Sequence, residues 1–158
     1  SATTELKVDG NNVVLTVSGL AAGSPYDTWA TGGELFGDDE NGDGVENGLA
    51  FLLGAADPNA DATGLLPTVT EDGSGGLVLT FTMLDSASRG TAALSVEHSG
   101  DLGDTDPWAA ALVPDATSTV SGVGFVVSGS GTLNVVATVP ESGNTVDDNL
   151  FGRVSATE

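Results

Sequence analysis

The second half of the chain is a succession of short β-branched runs cut by turn residues, and this rhythm constrains the fold more than any other feature. From Leu65 onward only strands are expected: "LVLTFTML" (77–84), "AALSVEH" (92–98), "GVGFVVS" (122–128), "LNVVATV" (133–139) and "FGRVSAT" (151–157). Val, Thr, Phe and Leu fill these runs, while Gly, Ser, Asp and Pro punctuate them, as in strands joined by tight turns. The series predicts a mainly β fold, an antiparallel β-sandwich of the Ig-like kind, over residues 65–158. With 23 glycines in 158 residues and only 16% charged residues, the composition suits a turn-rich β protein. It suits helical bundles and disordered acidic tails poorly.

Two smaller parts precede the strands. In "ELKVDGNNVVLTV" apolar and polar residues alternate around Asp9-Gly10-Asn11-Asn12, which predicts a β-hairpin within 1–23. Leu6 and Val8 fall on one face, and Val13, Leu15 and Val17 continue it. Residues 24–64 form an insertion with two short helices. Ser24-Pro25 is an N-cap followed by proline in the first turn, opening a helix through Tyr26, Asp27, Thr28 and Trp29. Both aromatics are expected to anchor this helix against the neighbouring segment. Val45, Leu49, Leu52 and Leu53 recur at helical spacing and Gly54 is a natural stop, so a second helix is expected over 46–53. "ADPNADATG" is read as loop.

Charge excludes several partners. There are 23 acidic against 3 basic residues, a formal net charge of −20. Lys7, Arg89 and Arg153 are the permanent cations, so nucleic acid and anionic membrane surfaces should repel the chain. No run is long enough for a membrane span, and no insertion into a membrane is expected. The chain has no cysteine, so disulfides, zinc-thiolate sites and thiol chemistry are excluded. Ser1 is read either as a mature N-terminus left by signal removal or as a boundary within a longer chain.

The acidity is not evenly spread. "DDENGDGVENGLAFLLG" (38–54) crowds Asp38, Asp39, Glu40, Asp43 and Glu46 together, and like charges this close repel unless water, salt or a cation screens them. Taking Asp39 as the first position of a loop puts Asn41 third, Asp43 fifth, Gly44 sixth, Val45 seventh and Asn47 ninth. In that D-x-N-x-D-G order side-chain oxygens converge on one calcium ion, the glycine permits the sharp turn, and Val45 offers its carbonyl. Oxygen donors without His or Cys favour calcium or magnesium. The twelfth position, where an EF-hand carries a bidentate Glu, is Ala50. Either affinity is weak, or Asp38, Asp57 or Asp61 supplies the missing oxygens. The competing reading is a solvated turn whose Asn-Gly and Asp-Gly pairs serve backbone geometry alone.

Little in the sequence points to catalysis, and no enzyme is expected. The one histidine, His98, lies at a strand end and is read as a surface residue. No G-x-S-x-G elbow and no Walker or Rossmann fingerprint occurs, and no carboxylate pair stands out. Lys7 between Leu6 and Val8 is expected to face solvent, against an isopeptide cross-link. Trp108, with Asp104 and Asp106 just before it, is the candidate surface for stacking and hydrogen bonding a sugar, with core packing as the alternative.

Taken in order, "YDTWA", "DENGDGVENGLAFLLG", "LLPTV", "LVLTFT", "DPWAA" and "LFGRVSATE" resemble a C-terminal module of large secreted and surface proteins of aquatic bacteria. That module often follows autotransporter-associated or β-helical repeats, and the resemblance covers about residues 26–158. The acidic loop is similar to thrombospondin type 3 and dockerin calcium loops, a likeness that gives Asp39, Asn41, Asp43 and Asn47 the ligand roles. Many members of the module family carry Glu where this chain has Ala50. The resemblance implies a non-catalytic, extracellular or cell-surface, structural or adhesive role. The resulting expectation is a calcium-stabilised bacterial surface module, or the subunit of a fibre that offers strand 5–8 or 151–157 to a neighbouring copy or domain. The alternative is a carbohydrate-binding module of a secreted protein, with a glycan as partner.

Overall fold

A computed structural model describes the backbone of residues 3–9 and 12–18, and residues 23–141, 143–146 and 148–158 in full. The protein is mainly β, with short helices between the strands. The N-terminal hairpin forms as expected from β1 (Thr3–Asp9) and β2 (Asn12–Ser18). Its register pairs Leu6 with Leu15, Val8 with Val13 and Asp9 with Asn12. It is a two-stranded sheet of its own.

Helix α1 (Pro25–Trp29) begins at Ser24, whose side chain accepts the Asp27 amide while the Asp27 carboxylate accepts the Ser24 amide, a reciprocal capping box. Helix α2 (Asn47–Leu53) has no side-chain cap. The chain just before it takes that role: the Asn47 amide donates to the Asp38 carbonyl at 2.6 Å and the Gly48 amide to the Phe36 carbonyl at 2.8 Å. Gly54 ends the helix at φ +92°, a left-handed cap that only glycine adopts without strain.

The strands of the second half were visible in the sequence in part. Strands β4 (Leu77–Leu84), β5 (Ala93–Ser99), β8 (Val123–Ser130), β9 (Thr132–Val139) and β10 (Phe151–Thr157) match the five expected runs within two residues. Three short strands were not expected: β3 (Thr68–Glu71), β6 (Ala109–Leu112) and β7 (Ser118–Val120). The expectation of strands alone after Leu65 needs correction, because α3 (Ser86–Arg89) intervenes. Asp85 caps it by accepting the Ser88 amide at 3.0 Å, which favours a helical turn over continued extension.

The strands form two antiparallel sheets, one in the order β3-β4-β9-β8-β7 and one in the order β10-β5-β6, an arrangement consistent with a β-sandwich. Alternation along the strands decides what lies between them. Leu79, Phe81 and Met83 from β4, Val135, Ala137 and Val139 from β9, and Leu94 and Val96 from β5 belong to one buried cluster. Tyr26, Phe51, Leu52 and Leu53 belong to the same cluster, so the helices share the core of the sheets. Each such large side chain contributes about 1.5–3 kcal/mol on burial. No helix among the described residues is long and apolar enough to cross a membrane.

Candidate metal centre

The acidic loop is held in shape by its own carboxylates. Asp39 Oδ1 accepts the amides of Gly42 at 2.9 Å and Asp43 at 3.2 Å, and its Oδ2 accepts Gly44 at 2.8 Å. Asn41 Oδ1 accepts the Asp43 amide at 2.9 Å, and Asp43 Oδ1 accepts Val45 at 2.8 Å. Gly42 and Gly44 sit at φ +71° and +88°, which explains why both positions are glycine. Asp39, Asn41 and Asp43 are therefore brought onto one tight loop.

The segment after α2 lies against that loop. Asn41 Nδ2 donates to the Ala60 carbonyl at 2.8 Å, and Asp43 Oδ2 accepts the Ala62 amide at 2.7 Å. Asp57 and Asp61 flank these contacts, but each is engaged locally. Asp57 Oδ1 accepts the Asn59 amide at 2.9 Å, and Asp61 Oδ1 accepts the Thr63 hydroxyl at 2.6 Å and its amide at 2.9 Å. The Thr63 bonds hold the Asp61 carboxyl below its ordinary pKa. Asp38 contributes its carbonyl to the start of α2.

Two positions of the expected loop face inward. Asn47 is buried, with Nδ2 donating to the Leu35 carbonyl at 3.1 Å and Oδ1 accepting the Glu40 amide at 3.4 Å. Ala50 is buried as well, in a satellite cluster with Val45 and Ala62. The twelfth position thus lies in apolar packing, where a carboxylate would have to be desolvated. Among the described residues, no group of three or more His, Cys, Asp or Glu side chains is placed to hold a metal ion. The side-chain oxygens of Asp39, Asn41 and Asp43 on this loop are hard donors, of the chemistry that suits calcium or magnesium.

Aromatic residues hold this insertion to the core. Tyr26 packs against Trp29, Phe36 and Phe51, with ring centroids 4.9–5.6 Å apart, and Trp29 Nε1 donates to the Ala55 carbonyl at 2.8 Å. Both residues pack on the loop helix as expected.

The second sequence candidate, around Trp108, has a different organisation. Asp101, which sequence reasoning passed over, organises the 99–106 turn. Its carboxylate accepts the amides of Gly103, Asp104, Thr105 and Asp106 at 2.7–3.1 Å and the Thr105 hydroxyl at 2.6 Å. Led by the Thr105 hydroxyl, these bonds hold its carboxyl far below the ordinary range. Asp106 accepts the Gly100 amide at 2.7 Å, and Asp104 is exposed. Trp108 is half-buried, and the Arg153 guanidinium carbon lies 4.1 Å from its ring centroid. That guanidinium also donates to Glu97 at 2.7 Å. One face of the indole is taken where a sugar would stack.

His98 corrects the sequence reading. It is buried in β5, 6% exposed, on the face that carries Leu94 and Val96. Burial pushes its pKa below the ordinary histidine value, and the Asp106 carboxylate pulls it part of the way back.

Comparison of the chain with family models, curated proteins and solved structures finds no match. What the fold defines is a class: a mainly β protein of two antiparallel sheets whose helical insertion shares their core.

Proposed function

We propose that the chain is a non-catalytic structural or adhesive module of an extracellular or cell-surface protein, an Ig-like β-sandwich stabilised by calcium at the acidic loop. One observation carries the reading. Asp39, Asn41 and Asp43 gather on a single loop that is tied through Asp43 to the segment bearing Asp57 and Asp61. In this reading Asp39, Asn41 and Asp43 hold the cation by side-chain oxygens and Val45 by its carbonyl. Asp57 or Asp61 replaces the oxygens that Ala50 lacks. The cation supplies charge neutralisation and cross-links the loop to the 57–62 segment. Support also comes from the resemblance to the C-terminal module of bacterial surface proteins.

The test is thermal unfolding in excess EDTA and in ~1–5 mM calcium. A ligand at about 100 times its dissociation constant adds roughly 2.7 kcal/mol, a shift of several degrees for a domain of this size. Equal melting temperatures in the two buffers would leave the loop a solvated acidic turn.

A further inference from the structure

Two peptide bonds of this chain join an aspartate to a proline, Asp57–Pro58 and Asp106–Pro107. Such a bond is open to acid. The aspartate carboxylate can close a five-membered ring on its own carbonyl carbon, and proline departs from a tertiary amide as a basic secondary amine.

The two bonds have different surroundings. Asp57 is exposed, and its carbonyl accepts the Ala60 amide at 3.1 Å. Asp106 is pinned at three points. Its amide donates to both carboxylate oxygens of Asp101, at 3.1 and 3.0 Å. Its Oδ2 accepts the Gly100 amide at 2.7 Å, and its carbonyl accepts the Ser99 hydroxyl at 2.8 Å. Pro107 is exposed, so water and acid reach the nitrogen of the bond.

Ser99, fully buried at the end of β5, is set up as a strong donor. Its Oγ accepts the amides of Gly103 at 2.8 Å and Asp101 at 3.2 Å, which polarises the hydroxyl. The single proton has two acceptors within reach, and the Asp106 carbonyl is nearer than Asp101 Oδ1 at 3.3 Å. A donor at this distance stabilises the negative charge that a carbonyl oxygen gains under attack. The same turn holds Leu102 at φ +62°, a strained conformation for a residue with a side chain. Cutting the chain beside the turn lets it relax.

We propose that the chain cuts itself once, at the Asp106–Pro107 bond. An Asp106 carboxylate oxygen bonds to the Asp106 carbonyl carbon, and the charge that develops on the carbonyl oxygen faces Ser99 Oγ. The carbon–nitrogen bond then breaks. Its electron pair stays on the Pro107 nitrogen, which takes a proton from the medium. One water opens the cyclic anhydride and restores the Asp106 side chain, so the net change is one peptide bond hydrolysed. The halves stay together, because β4 remains paired with β9, and β5 with β6 and β10, across the cut. This goes beyond the structural-module reading and does not depend on its cation.

The test is incubation of the full chain at pH ~5 and ~7.5, since the leaving nitrogen needs a proton, with and without urea. Mass spectrometry follows scission at both Asp–Pro bonds. In the folded chain at the lower pH, fragments ending at Asp106 and beginning at Pro107 should form about tenfold or more faster than those from Asp57–Pro58. Their rate should not depend on protein concentration, and urea should remove the difference between the bonds. The cut protein should elute as one species in gel filtration and separate in a denaturing gel. Asp106→Asn, which keeps an oxygen for the Gly100 amide but lacks the carboxylate, should stop the scission. Ser99→Ala should slow it by about tenfold or more. Trp108 fluorescence like the parent's confirms that the turn persists in Asp106→Asn. A chain that stays whole overturns the proposal. So do equal rates at the two bonds in the folded chain, faster scission in urea, or an Asp106→Asn protein cut at the parent rate.

Discussion

Asp43 Oδ2 accepts the Ala62 amide at 2.7 Å, joining the acidic loop to a residue nineteen positions later. Ala62 is fully buried, so its amide has no water to turn to when that carboxylate is removed. Asp43→Ala should therefore cost about 1–3 kcal/mol even in EDTA, from the stranded donor. That lowers the melting temperature by roughly 2–4 °C per kcal/mol. A variant that melts with the parent in EDTA would show that the bond adds nothing without a cation.

Gly48 lies under the Phe36 ring, and a Cβ at this position would overlap the ring carbons. Alanine is the better helix former by about 1 kcal/mol, so propensity alone predicts that Gly48→Ala stabilises α2. Packing predicts the reverse, because Phe36 must leave its place beside Tyr26, and overpacking costs about 1–3 kcal/mol. The expected result is net destabilisation by chemical denaturation, recovered in part by Phe36→Leu.

His98 gives the protein a pH dependence of predictable sign. Its folded pKa is lowered, so between that value and the ordinary ~6.5 the unfolded chain binds more protons than the folded one. Stability should fall as pH drops below about 6.5. It is the one histidine in the chain, so the slope between pH ~5 and ~6.5 reports on it ahead of most carboxylates. His98→Leu, matching the apolar face of Leu94 and Val96, should flatten that slope. Unchanged slope in the variant would assign it elsewhere.

Asp101 makes a prediction at lower pH. Its carboxyl is depressed by bonds from Thr105 and the turn amides, so the stabilisation it gives is present above ~3.9 and is lost as pH falls further. Gly103 lies against the edge of the Trp108 ring, so loosening the turn changes the surroundings of the indole. Asp101→Ala should shift Trp108 fluorescence at neutral pH and speed amide exchange at residues 103–106. Slow exchange at those amides in the variant would show that other bonds hold the turn.

The long strands were legible because their alternation is strong. In "LVLTFTML" Leu79, Phe81 and Met83 fall on one face, and all three are buried. The short edges were not: β3 is exposed at all four positions, and "AAAL" of β6 has no alternation to read. Their pairing is set by the strands beside them. His98 was misread from its place at the end of a run, although counting back by twos from it reaches Val96 and Leu94. In the acidic loop, Asp39, Asn41 and Asp43 share one tight turn, whose amides their side chains accept. Asn47 faces inward because its side chain bonds the chain before α2, a partnership between segments that spacing does not encode. Asp101 carries a visible signal, an Asp with Gly103, Asp104 and Thr105 two to four residues on, but its several amide partners emerge only once the turn closes.

β10 comes last among the elements yet pairs with β5, so that Arg153 and Glu97, joined in the sheet, are 56 residues apart in sequence. During synthesis the five-stranded sheet can assemble through β9 before β10 exists. Until β10 arrives, β5 has one of its two edges open and the apolar side of β4 and α2 is only partly covered. Such late, distant pairing slows folding and prolongs the life of a sticky intermediate. For a chain made at the ribosome, β10 acts as the closing stitch of this pair of sheets, and the hazard of aggregation is concentrated in the interval just before it is drawn tight.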